Sequence, residues 1–220
     1  MVELQPGLWH WQAPHPDWEP GELWPQLVSS YAIDDGRRLL LFDPLAVPEE
    51  LIALAADREP VVVLTAPWHE RDTRLLVERL GAAVFAPPAD TPADLARKYG
   101  VAVEQVADGS PDLKWLSAAP DVEAHSYHAG DRLPFGIHAF PGRVNNDMVL
   151  WIEPRRAVVA GDALGDWGRG LQIPLEGLTL GVTHEQVRDG LLPLLERPVE
   201  LVLPAHGVPV ARAELERALA

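Results

Sequence analysis

Residues 157–164 read Ala157-Val158-Val159-Ala160-Gly161-Asp162-Ala163-Leu164. The first four positions are a short apolar run with two β-branched valines, which suits a strand. Gly161-Asp162 ends the run and leaves a carboxylate at its C-terminal end. A second such strand is Leu201-Val202-Leu203, running into Pro204-Ala205-His206-Gly207. Upstream, residues 61–65 form a β-branched, apolar run of the kind buried on both faces of a sheet. Before it, residues 28–33 and 38–42 read as two strands joined by the turn Asp34-Asp35-Gly36, and the second ends at Asp43-Pro44.

The intervening segments carry helix signals. Residues 48–56 open with Pro48 and place two glutamates in the first turn. Residues 72–80 stop at Gly81, and residues 91–99 open with Thr91-Pro92 and close at Gly100. Residues 183–195 are amphipathic behind a Thr183 cap, with Pro193 interrupting the last turn, and residues 211–219 form a final helix. Further strands are expected at 83–86, 123–127, 136–140 and 148–153. Two α/β halves, each rich in antiparallel strands, predict two packed sheets with helices outside. The expected architecture is a four-layer αββα sandwich, and without repeats or a linker one domain covers residues 1–220.

Composition narrows the function classes. With 47% hydrophobic residues the chain is globular rather than disordered. No apolar run approaches the roughly 20 residues needed to span a bilayer, and the N-terminus lacks the pattern of a secretory signal. There is no cysteine, so disulfides and thiolate metal sites are excluded and any metal must be held by His, Asp or Glu. A cytoplasmic location fits that composition. Lys plus Arg is 18 against 33 Asp plus Glu, and the net charge of −15 repels phosphate backbones, so nucleic acid is not an expected partner. No membrane partner is expected either, and the oligomeric state is left open.

Three segments, in order, resemble the metallo-β-lactamase superfamily. Residues 30–44 look like its opening hairpin, which ends in an aspartate. Residues 157–164 resemble its strand followed by Gly-Asp, where the Asp bridges two metals. Residues 201–207 resemble the strand that delivers its final histidine ligand. The resemblance implies a metallo-β-lactamase fold over nearly the whole chain.

The ligand motif departs from the family. His-x-His-x-Asp-His is expected after a strand ending in Thr; here the text is Thr65-Ala66-Pro67-Trp68-His69-Glu70-Arg71-Asp72-Thr73. Aligned directly, the ligand places hold Ala66, Trp68, Glu70 and Arg71. Slid by two, they hold Trp68, Glu70, Asp72 and Thr73. His69 falls between them in both registers. The family's Pro-Gly-His turn is Pro141-Gly142-Arg143, and a guanidinium has no lone pair for a cation. Asp162 and His206 are the ligands that survive.

Without two dications, Asp162 and Glu70 would crowd like charges. Arg71 and Arg143 can supply the missing positive charge, so a pocket network of Glu70, Arg71, Asp72, Arg143 and Asp162 is expected in place of metals. The alternative is one divalent ion, zinc, iron or manganese, on His69, Asp162 and His206, with Glu70 or Asp72. His10 and His15 are expected at the surface, and His125, His128, His138 and His184 at structural or surface positions. Trp9, Trp11, Trp18 and Trp24 are expected to pack over a sheet edge, and Trp68 to fill volume vacated by a metal. No phosphate loop or Gly-x-Ser-x-Gly elbow is present. The expected function is therefore a non-catalytic or ligand-binding descendant of a metallohydrolase, with a small-molecule ligand and no resident cofactor. The alternative is a mononuclear metal-dependent hydrolase of a small ester, thioester or amide.

Overall fold

The computed structural model describes residues 1–175, 178–179 and 181–220. The first half of the chain forms one sheet in the order β1 (Val2–Gln5), β2 (Leu8–Pro14), β3 (Leu27–Asp34), β4 (Arg38–Phe42), β5 (Glu59–Val63), β6 (Ala83–Ala86) and β7 (Ala124–Ser126). Strands β1 to β4 pair antiparallel, whereas β4 to β7 pair parallel. Parallel neighbours need crossover connections. These carry α1 (Glu49–Ala55), α2 (Thr73–Leu80) and α3 (Pro92–Tyr99).

The second half begins with β8 (Arg132–Leu133), β9 (Ile137–Pro141), β10 (Met148–Ile152) and β11 (Ala157–Gly161). A small ribbon follows, β12 (Gly165–Asp166) and β13 (Leu171–Gln172), then α4 (His184–Leu191), β14 (Leu201–Pro204), β15 (Val210–Ala211) and α5 (Arg212–Ala218). The second sheet has the order β15-β14-β11-β10-β9-β8. Among the described residues only β11 and β14 pair parallel in it, and α4 lies in their connection.

Side-chain alternation builds the layers. In β4, Leu40 and Phe42 pack between the sheets with Val159 and Leu203, while Leu39 and Leu41 pack outward with Leu51 and Ile52 of α1. In β11, Ala157 and Val159 face inward, while Val158 and Ala160 meet Val187 and Leu191 of α4 and Leu215 of α5. The result is helix, sheet, sheet, helix, the expected four-layer sandwich. Local signals act as read: Thr91 and Thr183 both form capping boxes, and Gly81 closes α2 with φ 66. Pro193 converts the end of α4 into a 3-10 turn over Leu192–Glu196.

The tryptophan-rich N-terminus is more than a cover. Residues 8–14 are a strand of the sheet, with Leu8 facing the inter-sheet core and Trp11 the helix layer, where its Nε1 donates to the Leu45 carbonyl at 2.7 Å. His10, expected at the surface, is buried on this strand; its Nε2 lies 2.9 Å from Ser29 Oγ and its ring stacks on Tyr31. Among the described residues, no helix is long and apolar enough to cross a membrane.

Strands β4, β5, β9, β11 and β14 all end on the same rim. There the two sheets approach closely at Gly161, whose φ is 53; a Cβ at this position would lie 2.8 Å from Thr65 Oγ1. Glycine is thus required one residue before Asp162, both for its left-handed backbone and for the contact.

Candidate functional site

The rim is organised by buried carboxylates. Asp43, directly after β4, accepts from Thr65 N at 2.8 Å and Thr65 Oγ1 at 2.6 Å. These bonds lock the end of β4 to the end of β5. Beyond Thr65 the chain is extended at Ala66 and then makes one 3-10 turn over Pro67–His69. Proline suits the first position of such a turn, because its missing N–H is not needed there. The turn swings His69 inward to 4% exposure. This is the irregular loop that a fixed ligand spacing does not anticipate.

His69 is clamped from both sides. Its Nδ1 lies 3.0 Å from Thr65 Oγ1 and 3.1 Å from Asp43 Oδ2, and its Nε2 lies 3.2 Å from Asp162 Oδ1. Burial alone would lower its pKa, but the charges of Asp162 and Asp43 outweigh that and hold it at about 9. Burial works against the charged form of Asp162 too, yet His69 and Arg143 hold its carboxyl well below the ordinary range. The two flanking carboxylates thus favour the protonated form of His69.

Asp162 is the centre of the cluster. Its Oδ2 accepts from Arg143 Nη2 at 2.8 Å and from Trp68 Nε1 at 3.0 Å. Its Oδ1 faces His69 Nε2 and, at 3.4 Å, His206 Nε2, but neither contact has hydrogen-bond alignment. Arg143 also binds Asp147 Oδ2 through Nε at 2.8 Å and through its backbone N–H at 2.9 Å. Asp147 is wholly buried; burial pushes its carboxyl up despite Arg143, and its Oδ1 has no acceptor role among the described residues. The turn that delivers Arg143 needs glycine before it, since a Cβ on Gly142 would meet the Asp147 carbonyl oxygen at 2.5 Å.

The structure thus brings Arg143, Asp162, His69 and His206 together. Arg71 also reaches the cleft, but its Nη1 donates to the backbone carbonyls of Asp43 at 2.6 Å and Ser29 at 3.2 Å rather than to a carboxylate. Glu70 and Asp72 do not join the network. Glu70 accepts from the Leu113 backbone N–H and Asp72 from that of Ala46 at 2.6 Å, so each fastens a loop. Glu70 follows the 3-10 turn and Asp72 immediately precedes α2, and neither is hydrogen-bonded to a side chain of the rim among the described residues. His15, expected at the surface, is half-buried and lines the cleft; His125, His128, His138 and His184 do not. Sequence reasoning also missed Asp43 and Thr65 as partners of His69, although Asp43 ends the hairpin on which the resemblance rests.

The cluster floors a cavity of about 310 Å³, walled by Trp24, Trp68 and Trp167 with Arg71, Arg143 and His206. Trp24 and Trp167 bracket the His206 ring, with centroids 5.7 and 5.2 Å away.

These residues do not fit a dinuclear metal centre. Ala66 and Trp68 offer no donor, Arg143 occupies Asp162 Oδ2, and Glu70 is held elsewhere. Among the described residues, no group of three or more His, Asp or Glu side chains is arranged to hold an ion.

Fold comparison then places the chain. No family model matches it, and no curated protein does. Solved structures do. DIM-1 metallo-beta-lactamase superposes with a TM-score of 0.65 at 14% identity, over 99% of this chain and 93% of that one. This chain has the metallo-β-lactamase fold. A metallo-beta-lactamase family protein from Thermus thermophilus matches over 99% of this chain and 78% of its own length, at 18% identity and a TM-score of 0.62. TTHA1623, solved in a di-iron-bound form, shares 25% identity over 88% of this chain and 94% of its own, with a TM-score of 0.56. At these identities the metallo-β-lactamase likeness is one of fold, and the site must be judged on its own residues.

Proposed function

We propose that this chain is a metal-independent, small-molecule-binding protein on the metallo-β-lactamase fold, with positively charged side chains where a dinuclear centre would need cations. The observation that carries this reading is the guanidinium of Arg143, 2.8 Å from Asp162 Oδ2. Arg143 and the His69 imidazolium neutralise the carboxylates of the rim, so the cluster does not require a dication to offset crowded negative charge. The aromatic cavity above it has the volume and mixed lining of a small-ligand site.

A mononuclear metal-dependent hydrolase is the second reading. It is favoured by one observation: Asp162 Oδ1 lacks an aligned hydrogen bond, and two imidazole Nε2 atoms lie 3.2 and 3.4 Å from it. A carboxylate behind the Nδ1 of a histidine, as Asp43 stands behind His69, is also a common support for metal ligands. Against it, ligation requires His69 to release a proton that two carboxylates hold.

Calorimetric titration of chelator-treated protein with zinc, iron(II) or manganese(II) at pH 7 separates the readings. No saturable uptake is expected. Tight uptake of one ion, lost in His69→Ala and in His206→Ala, would establish the second reading.

A further inference from the structure

The cleft holds one cation that no described carboxylate pairs. Arg143 is paired with Asp147 and Asp162, and Lys98, beyond Trp68, is paired with Asp90 at 2.6 Å. Arg71 forms no ion pair with any described residue. Its Nη1 is used by two backbone carbonyls, its Nε is fully buried without a partner, and its Nη2 donates to no described residue. A guanidinium whose Nε is buried and whose Nη2 opens on the cleft has a donor to offer an anion. Arg71 is also held at φ 42, in the left-handed region that side chains rarely adopt. Such strain persists only where surrounding structure imposes it, and it concentrates at ligand sites.

Resting on the reading of the cleft as a metal-independent binding site, we propose that it takes a small organic carboxylate with a flat apolar body, anchored by Arg71. Arg71 Nη2, which donates to no described residue, can give a carboxylate oxygen a charge-assisted hydrogen bond. Trp24, Trp68 and Trp167 supply faces for a flat ring, and about 310 Å³ lies at the small end of ligand cavities. A monoanion suits the site better than a phosphate dianion. Asp43 and Asp162 lie close beneath it, and among the described residues of the cleft only Arg71 remains without a carboxylate partner.

The test uses the intact protein with benzoate, its neutral isostere benzamide, and inorganic phosphate, followed by calorimetry and tryptophan fluorescence. Benzoate is expected to bind at least about tenfold more tightly than benzamide, as a charge-assisted hydrogen bond warrants. Phosphate is expected to bind more weakly than benzoate. Arg71→Gln should abolish the preference for benzoate over benzamide, while Arg71→Lys should keep part of it. If Arg71→Gln does not fold, the wild-type ratio and its decrease with added salt decide the matter. Equal binding of benzoate and benzamide, or binding of neither, would overturn the proposal, and phosphate binding tighter than benzoate would overturn the carboxylate assignment. Metal uptake by chelator-treated protein would instead defeat the underlying reading, and it is measured separately on the same preparation.

Discussion

Arg143 Nη2 lies 2.8 Å from Asp162 Oδ2, with only 10% and 11% of the two side chains exposed. Such a pair is not automatically a net stabiliser, because both charges have left water. Removing one partner, however, strands the other. Arg143→Ala is expected to cost about 3–5 kcal/mol, since Asp147 loses its cation and Asp162 loses one of those that flank it. Arg37→Ala, at an ion pair where the arginine is 74% exposed, should stay within about 0.5 kcal/mol. Denaturant unfolding measures both. An unchanged midpoint for Arg143→Ala would contradict the network.

The turn before Arg143 makes a second demand. Gly142 N donates to the Asp147 carbonyl at 2.7 Å, and an added Cβ would sit 2.5 Å from that same oxygen. The obstacle is backbone, so it cannot rotate away. Gly142→Ala is expected to destabilise the protein by about 1–3 kcal/mol, as overpacking typically does. The same unfolding experiment checks it, and a loss no larger than that of the exposed Arg37→Ala would contradict the geometry.

Two histidines set opposite limbs of the pH profile. His69 has its folded pKa raised from 6.5 to about 9. Its contribution is fully present below pH 6.5 and is lost as pH rises through about 9, roughly 3 kcal/mol in all. His10 has its folded pKa lowered, by burial first, from 6.5 to about 4. The folded state then binds fewer protons than the unfolded one, so stability falls as pH drops from 6.5 towards 4. Maximum stability is expected near pH 6.5. In His69→Gln the alkaline decline should flatten while the acid limb remains. Urea unfolding from pH 4 to 10 would show this, and an alkaline limb unaltered in His69→Gln would refute the clamp.

Much of the fold was legible in the sequence because its strands are short, apolar and punctuated. Residues 83–86 form β6 with the bounds read from the sequence, and Thr91 and Gly100 frame α3 as their capping chemistry requires. The ends of β4, β11 and β14 carry Asp43, Asp162 and His206, and the structure gathers all three on one rim. The strand at residues 8–14 was hidden because His10 and Gln12 alternate with tryptophans, and a buried histidine satisfied by Ser29 reads like a polar surface residue. At the site, Arg143 and Asp162 were found because each sits at a fixed place after its strand. Glu70 and Asp72 were misassigned to the network because a single 3-10 turn at Pro67 rotates the positions after it. Ligand spacing assumes a regular loop, and Pro67 removes that regularity.

The metal content of the protein as purified tests the central claim most directly. Expression in medium supplied with zinc, iron and manganese, followed by elemental analysis, is expected to give well below one equivalent of any transition metal per chain. Near two equivalents of zinc or iron would contradict the account outright, because Arg143 and two metal ions cannot share Asp162.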